Sequence, residues 1–340
     1  MGYTNFPNGL TSFGVPLPCG GVGGSLGAAI GKIRYLVAAK ASTNLYYMNL
    51  HKHGIPDYDI FTTVATAHAA MTANQNDVLY VCPGSYTTEA AVWSKSHCHM
   101  VSMGTHIANW YGSAGGAIIR NTATTGAYAL GVTGSYCEFH GMVFINSGAN
   151  AACVSAVKDG GQHNQYYHCN FLGHIRSEQA GTALACDLWI DTTASAGGQD
   201  LLLENCYVGS SGCYTRSANN TQLLFGPTGT AGAGSNVTLR NTMFGTRTKT
   251  AGCSAIKFAA NYTVDRLFFI DNCIFYNFYD ANDMTSTVTE AINNDCATTH
   301  KIIPRNSFIT GYAAWEGTRS SVYLTQADAS GASGIAAVET

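Results

Sequence analysis

Apolar residues fall in short runs that recur at long intervals, separated by stretches rich in Gly, Ser, Thr and Asn. Six runs align: CEFHGMVFI (137–145), QYYHCNFLG (165–173), LLLENCYVG (201–209), VTLRNTMFG (237–245), FFIDNCIFY (268–276) and IIPRNSFIT (302–310). Their first and third positions are mostly apolar, as the inward face of a strand requires. Recurrence at roughly 30 residues is typical of solenoids, so the pattern predicts stacked coils of two or three strands each.

The fifth position of the aligned runs predicts a bend in each coil. It is occupied by Gly141, Cys169, Asn205, Asn241, Asn272 and Asn306. Asparagine tolerates the left-handed backbone that a bend needs, and its amide can bond an equivalent amide one layer away. The four asparagines therefore predict a side-chain ladder that runs across four coils.

The fourth position should point outward, and it carries most of the charge in these runs. It reads His140, His168, Glu204, Arg240, Asp271 and Arg305. From Glu204 onward the signs alternate, which favours parallel, in-register strands about 4.8 Å apart. We therefore interpret these charges as structural, each exposed pair contributing well under about 1 kcal/mol.

One segment has the periodicity of a helix, DIFTTVATAHAAMTAN at 59–74. Its apolar stripe is Ile60, Val64, Ala67 and Met71. Asp57 or Asp59 can cap its amino terminus, and His68 beside the stripe is interpreted as a packed or rim side chain. The helix is predicted to close the open end of the first coil, because terminal layers of a solenoid need caps.

The stretch NDVLYVCPGSYTTEAAVWSKSHCHMVSMG (76–104) follows that helix. Its two runs VLYV and HMVSM, with the PGSY turn between them, are predicted to be successive walls of the first coil, not a hairpin, whose turn would be shorter. Cys82 and Cys98 are then small residues in or beside the core. His97 and His99 would point away from Cys98 in a strand, so one site could not easily use all three.

The helix and the two runs after it resemble the entry into a right-handed parallel β-helix of the pectin-lyase-like kind. The resemblance is carried by FTTVATAHAAMTANQ, NDVLYVCPGSYTTEA and HCHMVSMG. It implies an all-β solenoid with an amino-terminal capping helix and extended terminal segments. We expect an arm at 1–31, a parallel β-helix at 32–312 and a tail at 313–340.

Composition limits the partners. Charged residues make up 11% of the 340 residues, so Ser, Thr, Asn, Gln and Gly must cover a surface of the kind found inside assemblies. The net charge is -3 and the basic residues are scattered, which disfavours nucleic acid. No apolar run of 18 residues and no secretory signal are found, so no membrane partner and synthesis in a cytoplasm are expected.

The twelve cysteines are spread singly along the chain without a C-x-x-C pair. We interpret them as free thiols of the core, because cysteine is among the most buried residue types. Paired ligand spacing is absent, so no metal and no cofactor are expected. The acidic loop Asp280–Asp283 is interpreted as solvated and not as a calcium site.

The opening MGYTNFPNGLTSFGVPL resembles the amino-terminal openings of tailed-phage virion proteins. This resemblance implies a structural virion protein, assembled in the host cytoplasm, that decorates or cements a capsid. Its partners would be the major capsid protein or other virion proteins and copies of itself, taken as a trimer. The arm residues expected to dock on the shell are Phe6, Leu10, Phe13, Val15 and Leu17.

The alternative function is a phage tailspike or fibre depolymerase, or a glycan-binding adhesin, acting on host polysaccharide. Hydrolysis needs two carboxylates, one of them protonated. The polygalacturonase-like series N-T-D, D-D, G-H-G and R-I-K is absent. Asp187 with Asp191, and Glu178 with Asp200, are the pairs that remain, and chance explains both. No catalytic residue is assigned, and an enzyme is the less favoured prediction.

Overall fold

A computed structural model gives the fold. It describes residues 11–12, 15–16, 31–88, 91–104, 116–173, 175–191, 197–209, 215–226, 232–264, 266–277, 288–296, 301–317 and 322. The sheets, helices and side-chain contacts of the structure are those of these residues.

Three parallel sheets form the body. Sheet I has ten strands: Ile60–Phe61, Ile33–Leu36, Asp77–Val81, Cys98–Ser102, Glu138–His140, Gln165–Tyr167, Leu202–Glu204, Val237–Arg240, Phe268–Asp271 and Ile302–Arg305. Sheet II has eight: Gly84–Thr88, Ala117–Asn121, Met142–Asn146, Asn170–Leu172, Tyr207–Gly209, Met243–Thr246, Ile274–Asn277 and Phe308–Thr310. Sheet III has seven: Ala91–Trp93, Leu130–Val132, Val157–Asp159, Leu188–Ile190, Thr221–Phe225, Ser254–Phe258 and Ile292–Asn294.

The chain visits sheets I, II and III in turn and then returns to sheet I one layer higher. This order makes a right-handed parallel β-helix and confirms the predicted fold class. Two small sheets accompany it: Gly232–Gly234 pairs parallel with Tyr262–Val264, and Thr11–Ser12 pairs antiparallel with Val15–Pro16.

The core lies inside the coils, where like residues stack on like. The rings of Phe244 and Phe275 are stacked with centroids 4.6 Å apart, and Phe225 lies 5.2 Å from Phe258. Parallel in-register strands place equivalent side chains directly above one another, so one aromatic position repeats as a column. Each such pair adds about 0.5–1.5 kcal/mol beyond the area it buries.

Three helices occur in the described ranges: α1 (Leu45–Lys52), α2 (Val64–Ala70) and α3 (Ser177–Ala180), with a 3-10 turn at Asp57–Asp59. None of them is long and apolar enough to cross a membrane. Helix α2 is the predicted cap, because Val64, Ala67 and Met71 join the core cluster of the first coils. His68 is buried as expected, and its Nε2 accepts the backbone N–H groups of Ser94 and Lys95, both at 3.2 Å.

The predicted start of this helix is wrong. Thr63 is the N-cap and accepts the Thr66 N–H, whereas Asp59 pairs with Arg34 instead. Ile60 lies in a strand of sheet I and not on the helical stripe. The β-branched pair Thr62-Thr63 favours extended backbone, which delays the helix to Val64.

Helix α1 was not predicted from the sequence. Asn44 caps it through a bond from the Tyr47 N–H to its side chain, 3.1 Å long. Leu50 packs against Val37, Ile60 and Cys82 in a cluster separate from the core. Helix α1 therefore lies against the outside of sheet I at the amino-terminal end of the rod.

The predicted arrangement of residues 76–104 needs a correction. The segments VLYV and HMVSM are not different walls of one coil. They lie on the same wall, sheet I, in consecutive coils, with Val78 opposite His99 and Tyr80 opposite Val101. The segment from Gly84 to Thr88 forms the first strand of sheet II. The prediction against a hairpin is confirmed, because the strands are parallel.

The alignment of the six runs is wrong by one residue at the second run, 165–173. His140 pairs with Tyr167, not with His168, and Tyr167 pairs with Glu204. The left-handed position of that coil is therefore His168, with φ 54°, and Cys169 follows it. No asparagine marks the bend in this coil, so the sequence alone left its position ambiguous.

The ten described cysteines are all buried thiols, as predicted. They are Cys82, Cys98, Cys137, Cys153, Cys169, Cys186, Cys206, Cys253, Cys273 and Cys296. In the segment predicted as a tail, Trp315 is buried and lies edge-on to Phe275 at 5.4 Å. This indole covers the core beside the last coil.

Candidate functional site

The outer face of sheet I carries a continuous series of ion pairs. Glu204, Arg240, Asp271 and Arg305 are in register on four consecutive strands. Arg305 donates to both carboxylate oxygens of Asp271, at 2.7 and 2.9 Å. Arg240 lies between its neighbours, 3.7 Å from Glu204 and 3.8 Å from Asp271. The hydrogen bonds from Arg305 lower the pKa of Asp271, so this carboxyl is unsuited to act as a protonated general acid.

The residues that follow these charges form the bend. Asn205, Asn241, Asn272 and Asn306 have φ values of 54°, 50°, 53° and 49°. The Asn272 amide donates to the Asn241 side-chain oxygen at 2.8 Å, which joins two coils at the surface. These asparagines thus have the backbone conformation that the aligned position requires.

A second regular feature comes directly after each asparagine, and sequence reasoning missed it. Cys206, Thr242, Cys273 and Ser307 point inward, and each donates its thiol or hydroxyl to the carbonyl two residues earlier. The signal was present as the triplets ENC, RNT, DNC and RNS. A small donor at this position satisfies a carbonyl that the bend withdraws from the sheet.

A column of polar side chains follows the turn between sheets III and I. We call Asn74, His97, Tyr136, His163, Asp200 and Asn236 the turn column. All six residues have positive φ. The backbone N–H of each residue from Asn74 to Asp200 donates to the residue preceding the next member, which places the members one coil apart. The sequence signal was weak, because four residue types share the column.

The side chains of the turn column contact one another along the rod. Tyr136 is stacked between His97, at 4.7 Å, and His163, at 4.3 Å between centroids. His163 Nδ1 lies 2.8 Å from Asp200, which also accepts the Asn236 amide at 2.8 Å. Because the ring faces contact each other, the column offers ring edges, amides and the Tyr136 hydroxyl, not aromatic faces, to a ligand. Six coils span about 24 Å.

Two histidines and a glutamate are grouped on the outside of sheet I. His99 Nδ1 accepts the Glu138 backbone N–H at 3.2 Å, so its other nitrogen carries the hydrogen. Burial lowers the pKa of His99 to about 4, which keeps the ring neutral. His140 Nε2 lies 2.9 Å from the Glu138 carboxylate, and its ring is stacked on Tyr167.

This histidine–glutamate group has limited chemistry. A paired carboxylate and imidazole can move a proton, but a nucleophilic reaction would also need an attacking group beside them. Within the described ranges, no set of three or more His, Cys, Asp or Glu side chains could hold a metal ion. Cys98 points into the core while His99 lies outside, so the predicted separation of these residues is confirmed.

The carboxylate pairs considered from the sequence have other partners. Asp187 forms a buried ion pair with Arg216 at 2.7 Å. Asp191 pairs with Lys158 at 2.8 Å, and Asp200 belongs to the turn column. A long-range contact such as Asp187 with Arg216 depends on coil register and was missed by sequence reasoning.

Among the described residues that expose large apolar side chains, two groups lie on neighbouring positions. On α1 and the adjoining 3-10 turn, Leu45 is 68% exposed and Tyr58 is 77% exposed. On the outside of sheet II, Met243 and Phe308 are 36% and 38% exposed, with Ile274 between them in register. We call the last three residues the sheet II stripe.

Several predicted site residues lie outside the described residues. They are Phe6, Leu10, Phe13 and Leu17 of the arm, and the loop from Asp280 to Asp283. Val15 falls in the short strand Val15–Pro16. Attachment through these side chains stays a prediction.

The sequence matches no family model and no curated protein. Solved structures of similar fold include pectate lyase Pel9A, at 14% identity and a TM-score of 0.46 over 88% of this chain and 80% of that one. Pectin methylesterase from carrot has 11% identity and a TM-score of 0.44 over 90% and 92%. ORF18 of Geobacillus virus E2 has 13% identity and a TM-score of 0.44 over 77% and 58%. These proteins are similar to this chain in fold alone. The fold is established by the register of the chain's own parallel strands.

Proposed function

We propose that the protein is a structural component of a tailed-phage particle, a decoration or cement protein that attaches to the capsid through its amino-terminal arm. The observation that carries the proposal is the use of the outer charges of sheet I. Glu204, Arg240, Asp271 and Arg305 tie four coils together as ion pairs. Such a surface serves a rigid rod and leaves Asp271 unable to supply a proton.

Composition and exposed apolar side chains support the same function. A charge content of 11% suits a surface that neighbours cover, and large side chains such as Leu45 and Tyr58 are exposed at the amino-terminal end of the rod. The proposed partners are the major capsid protein or other virion proteins, together with further copies of this chain. Its place is the virion, assembled in the host cytoplasm.

Deletion of residues 1–20 tests the attachment. Full-length protein should co-sediment with particles stripped of it, and the deletion variant should not, while its circular dichroism and melting temperature stay unchanged. A shortened protein that still binds particles would refute attachment through the arm. Counting copies per particle tests the location, because hundreds of copies indicate a shell protein and a few dozen indicate a spike.

The turn column favours a second candidate, a depolymerase or glycan-binding adhesin. Tyr136 is 47% exposed, and the column presents hydroxyl, imidazole and amide groups once per coil over about 24 Å. Incubation with host polysaccharide distinguishes the candidates. New reducing ends or unsaturated uronates indicate a depolymerase, whereas binding lost in Tyr136→Ala without product indicates an adhesin.

A further inference from the structure

We propose that helix α2 is a proton-released cap, which leaves the first coil when His68 takes up a proton and so opens the amino-terminal end of the rod. The later coils stay folded when this happens. The inference goes beyond the proposed function and does not rest on it. It follows from the contacts that hold α2, in which a neutral histidine accepts two hydrogen bonds.

The ring of His68 fastens α2 to the chain that leaves the first strand of sheet III, Ala91–Trp93. Its Nε2 accepts the backbone N–H groups of Ser94 and Lys95, each at 3.2 Å. An imidazole nitrogen that accepts a hydrogen bond carries no hydrogen, so this contact needs the neutral ring with its proton on Nδ1. A proton on Nε2 would place one N–H group against two others and break both bonds.

The surroundings of the ring also oppose a positive charge. His68 is 6% exposed, and its ring lies 4.7 Å from that of Trp93, which is fully buried. The Lys95 ammonium is close by, since it donates to the His68 carbonyl at 2.9 Å. Burial and, after it, this ammonium lower the pKa of His68 to about 4. They outweigh the attraction of a cation to the Trp93 face, so the capped state disfavours the proton.

Five further ionisable side chains lie around α2 in the described part of the chain. They are Arg34, Asp59, Asp77, Lys95 and Cys98. Arg34 and Lys95 donate to carbonyls at the carboxyl end of the helix, which lack partners within it. Asp77 accepts the Thr72 N–H at 2.7 Å, and Cys98 donates to the Thr72 carbonyl. Asp59 pairs with Arg34. Protonation of Asp77 would also weaken a contact of this segment, so the histidine has to be tested at its own position.

Release of α2 uncovers the core of the first coil. Val64, Ala67 and Met71 belong to the core cluster that contains Leu36 and Trp93, so departure of the helix exposes apolar side chains at the end of the rod. A helix of seven residues is not stable in water by itself, so the released segment unfolds. The later coils keep the hydrogen bonds of their own parallel strands. Acid thus converts a closed end into an apolar one without unfolding the rod.

The size of the effect follows from linkage between folding and proton binding. In the released segment the pKa of His68 returns to about 6.5, whereas in the capped state it is about 4. The cap is therefore held fully above about pH 6.5 and is weakened as the pH falls toward 4. The equilibrium constant for opening should rise about twentyfold from pH 7 to pH 5, and about a hundredfold from pH 7 to pH 4.

Hydrogen exchange of the full-length protein, followed by mass spectrometry, tests the proposal. After correction for the intrinsic effect of pH on exchange, protection of the α2 amides should fall about twentyfold from pH 7 to pH 5, whereas that of the last coils should not fall. In His68→Gln the fall should be less than about twofold, because the glutamine oxygen can accept an N–H and does not titrate. The matched control His53→Gln removes an exposed histidine of the α1 end and should keep the wild-type fall.

Several results would overturn the proposal. One is constant protection of α2 in the wild type between pH 7 and pH 5. Another is an equal fall in His68→Gln, which would assign the release to a carboxylate such as Asp77. A fall shared by every coil would show that acid unfolds the rod and not the cap. If His68→Gln lacks a folded cap at pH 7, nitrogen NMR of the wild-type imidazole decides, since a ring that becomes charged while α2 stays protected also contradicts the proposal.

Discussion

The side-chain amide of Asn272 donates to the side-chain oxygen of Asn241 one coil below it, at 2.8 Å. Both residues have left-handed backbone, with φ of 53° and 50°. The same side chain thus permits the bend and joins the coils. The two contributions can be separated, because glycine permits the bend without providing an amide.

Replacing Asn272 should therefore give graded losses. Asn272→Ala should lower the free energy of unfolding by about 2–3 kcal/mol, from the lost hydrogen bond and the strain of alanine at positive φ. Asn272→Gly should lose about 1 kcal/mol less, because glycine has no such strain. Denaturant unfolding followed by circular dichroism measures both, with exposed Asn49→Ala as control. Equal losses for alanine and glycine would contradict the assignment of strain.

Removing only one charge of the buried pair Asp187 and Arg216 should destabilise the protein more than removing both charges. Arg216→Met should destabilise the protein by about 3–5 kcal/mol, because it leaves the Asp187 carboxylate buried without its cation. The double variant R216M/D187N should be more stable than R216M, since no buried charge remains. Lys257→Met is the control at an exposed pair with Asp295 and should cost less than about 1 kcal/mol. Similar losses for Arg216 and Lys257 would rule out this account.

Asp159 predicts a dependence of stability on pH. Burial raises the pKa of Asp159 to about 6, despite hydrogen bonds from Gly161, Asn164 and Tyr166. The folded state therefore holds this proton more tightly than the unfolded chain, whose value is near 4. The protonated Asp159 therefore stabilises the folded state, and this stabilisation is complete below about pH 4. It is lost as the pH rises through 6, which lowers the free energy of unfolding by about 3 kcal/mol at most.

The variant Asp159→Asn isolates this effect because its amide resembles the protonated acid. The difference in unfolding free energy between wild type and variant should fall from pH 4 to 6.5 and then level off. Urea titrations at several pH values give that difference, in which the other titrating groups cancel. A difference that is constant over this range would show that Asp159 has an ordinary pKa.

The buried cysteine thiols should be protected from alkylation in the folded protein. Burial raises the pKa of Cys206 and of Cys273 to about 12, and that of Cys169 well above its usual value. Since the thiolate is the reactive form, iodoacetamide at pH 8 should leave all three unmodified in the folded protein. Peptide mass spectrometry would show full alkylation after denaturation. Rapid alkylation of Cys206 in the native state would contradict its place in the core.

The β-helix itself could be predicted from the sequence because its signals are local and repeated. Alternating apolar positions, and asparagine at one place in four coils, indicate strands and bends without knowledge of any distant contact. The predicted alignment was wrong by one residue where His168 stands in place of asparagine at the bend. Helix α1 was missed because it is short and Leu50 is its only buried residue, so no long apolar stripe indicates a packed face.

Less of the candidate site could be predicted, because its members meet only through the stacking of coils. Tyr136 and His163 differ in type, and only the register places one ring over the other. Likewise, Asp187 and Arg216 are 29 residues apart, and nothing in either segment identifies the partner. The triplets with a small donor after asparagine were visible, but their role depends on a carbonyl position that only the folded bend shows.

The bend residues remain in register although the chain between them varies in length. Asn241 and Asn272 are 31 residues apart, and the bonded residues Asp271 and Arg305 are 34 apart. Extra residues are accommodated between strands, so they add nothing along the axis. The height of the rod is therefore quantised in steps of about 4.8 Å, one for each coil. Duplicating a whole coil would lengthen the molecule by one step. Inserting the same number of residues in a connection between strands would widen the rod and leave its length unchanged.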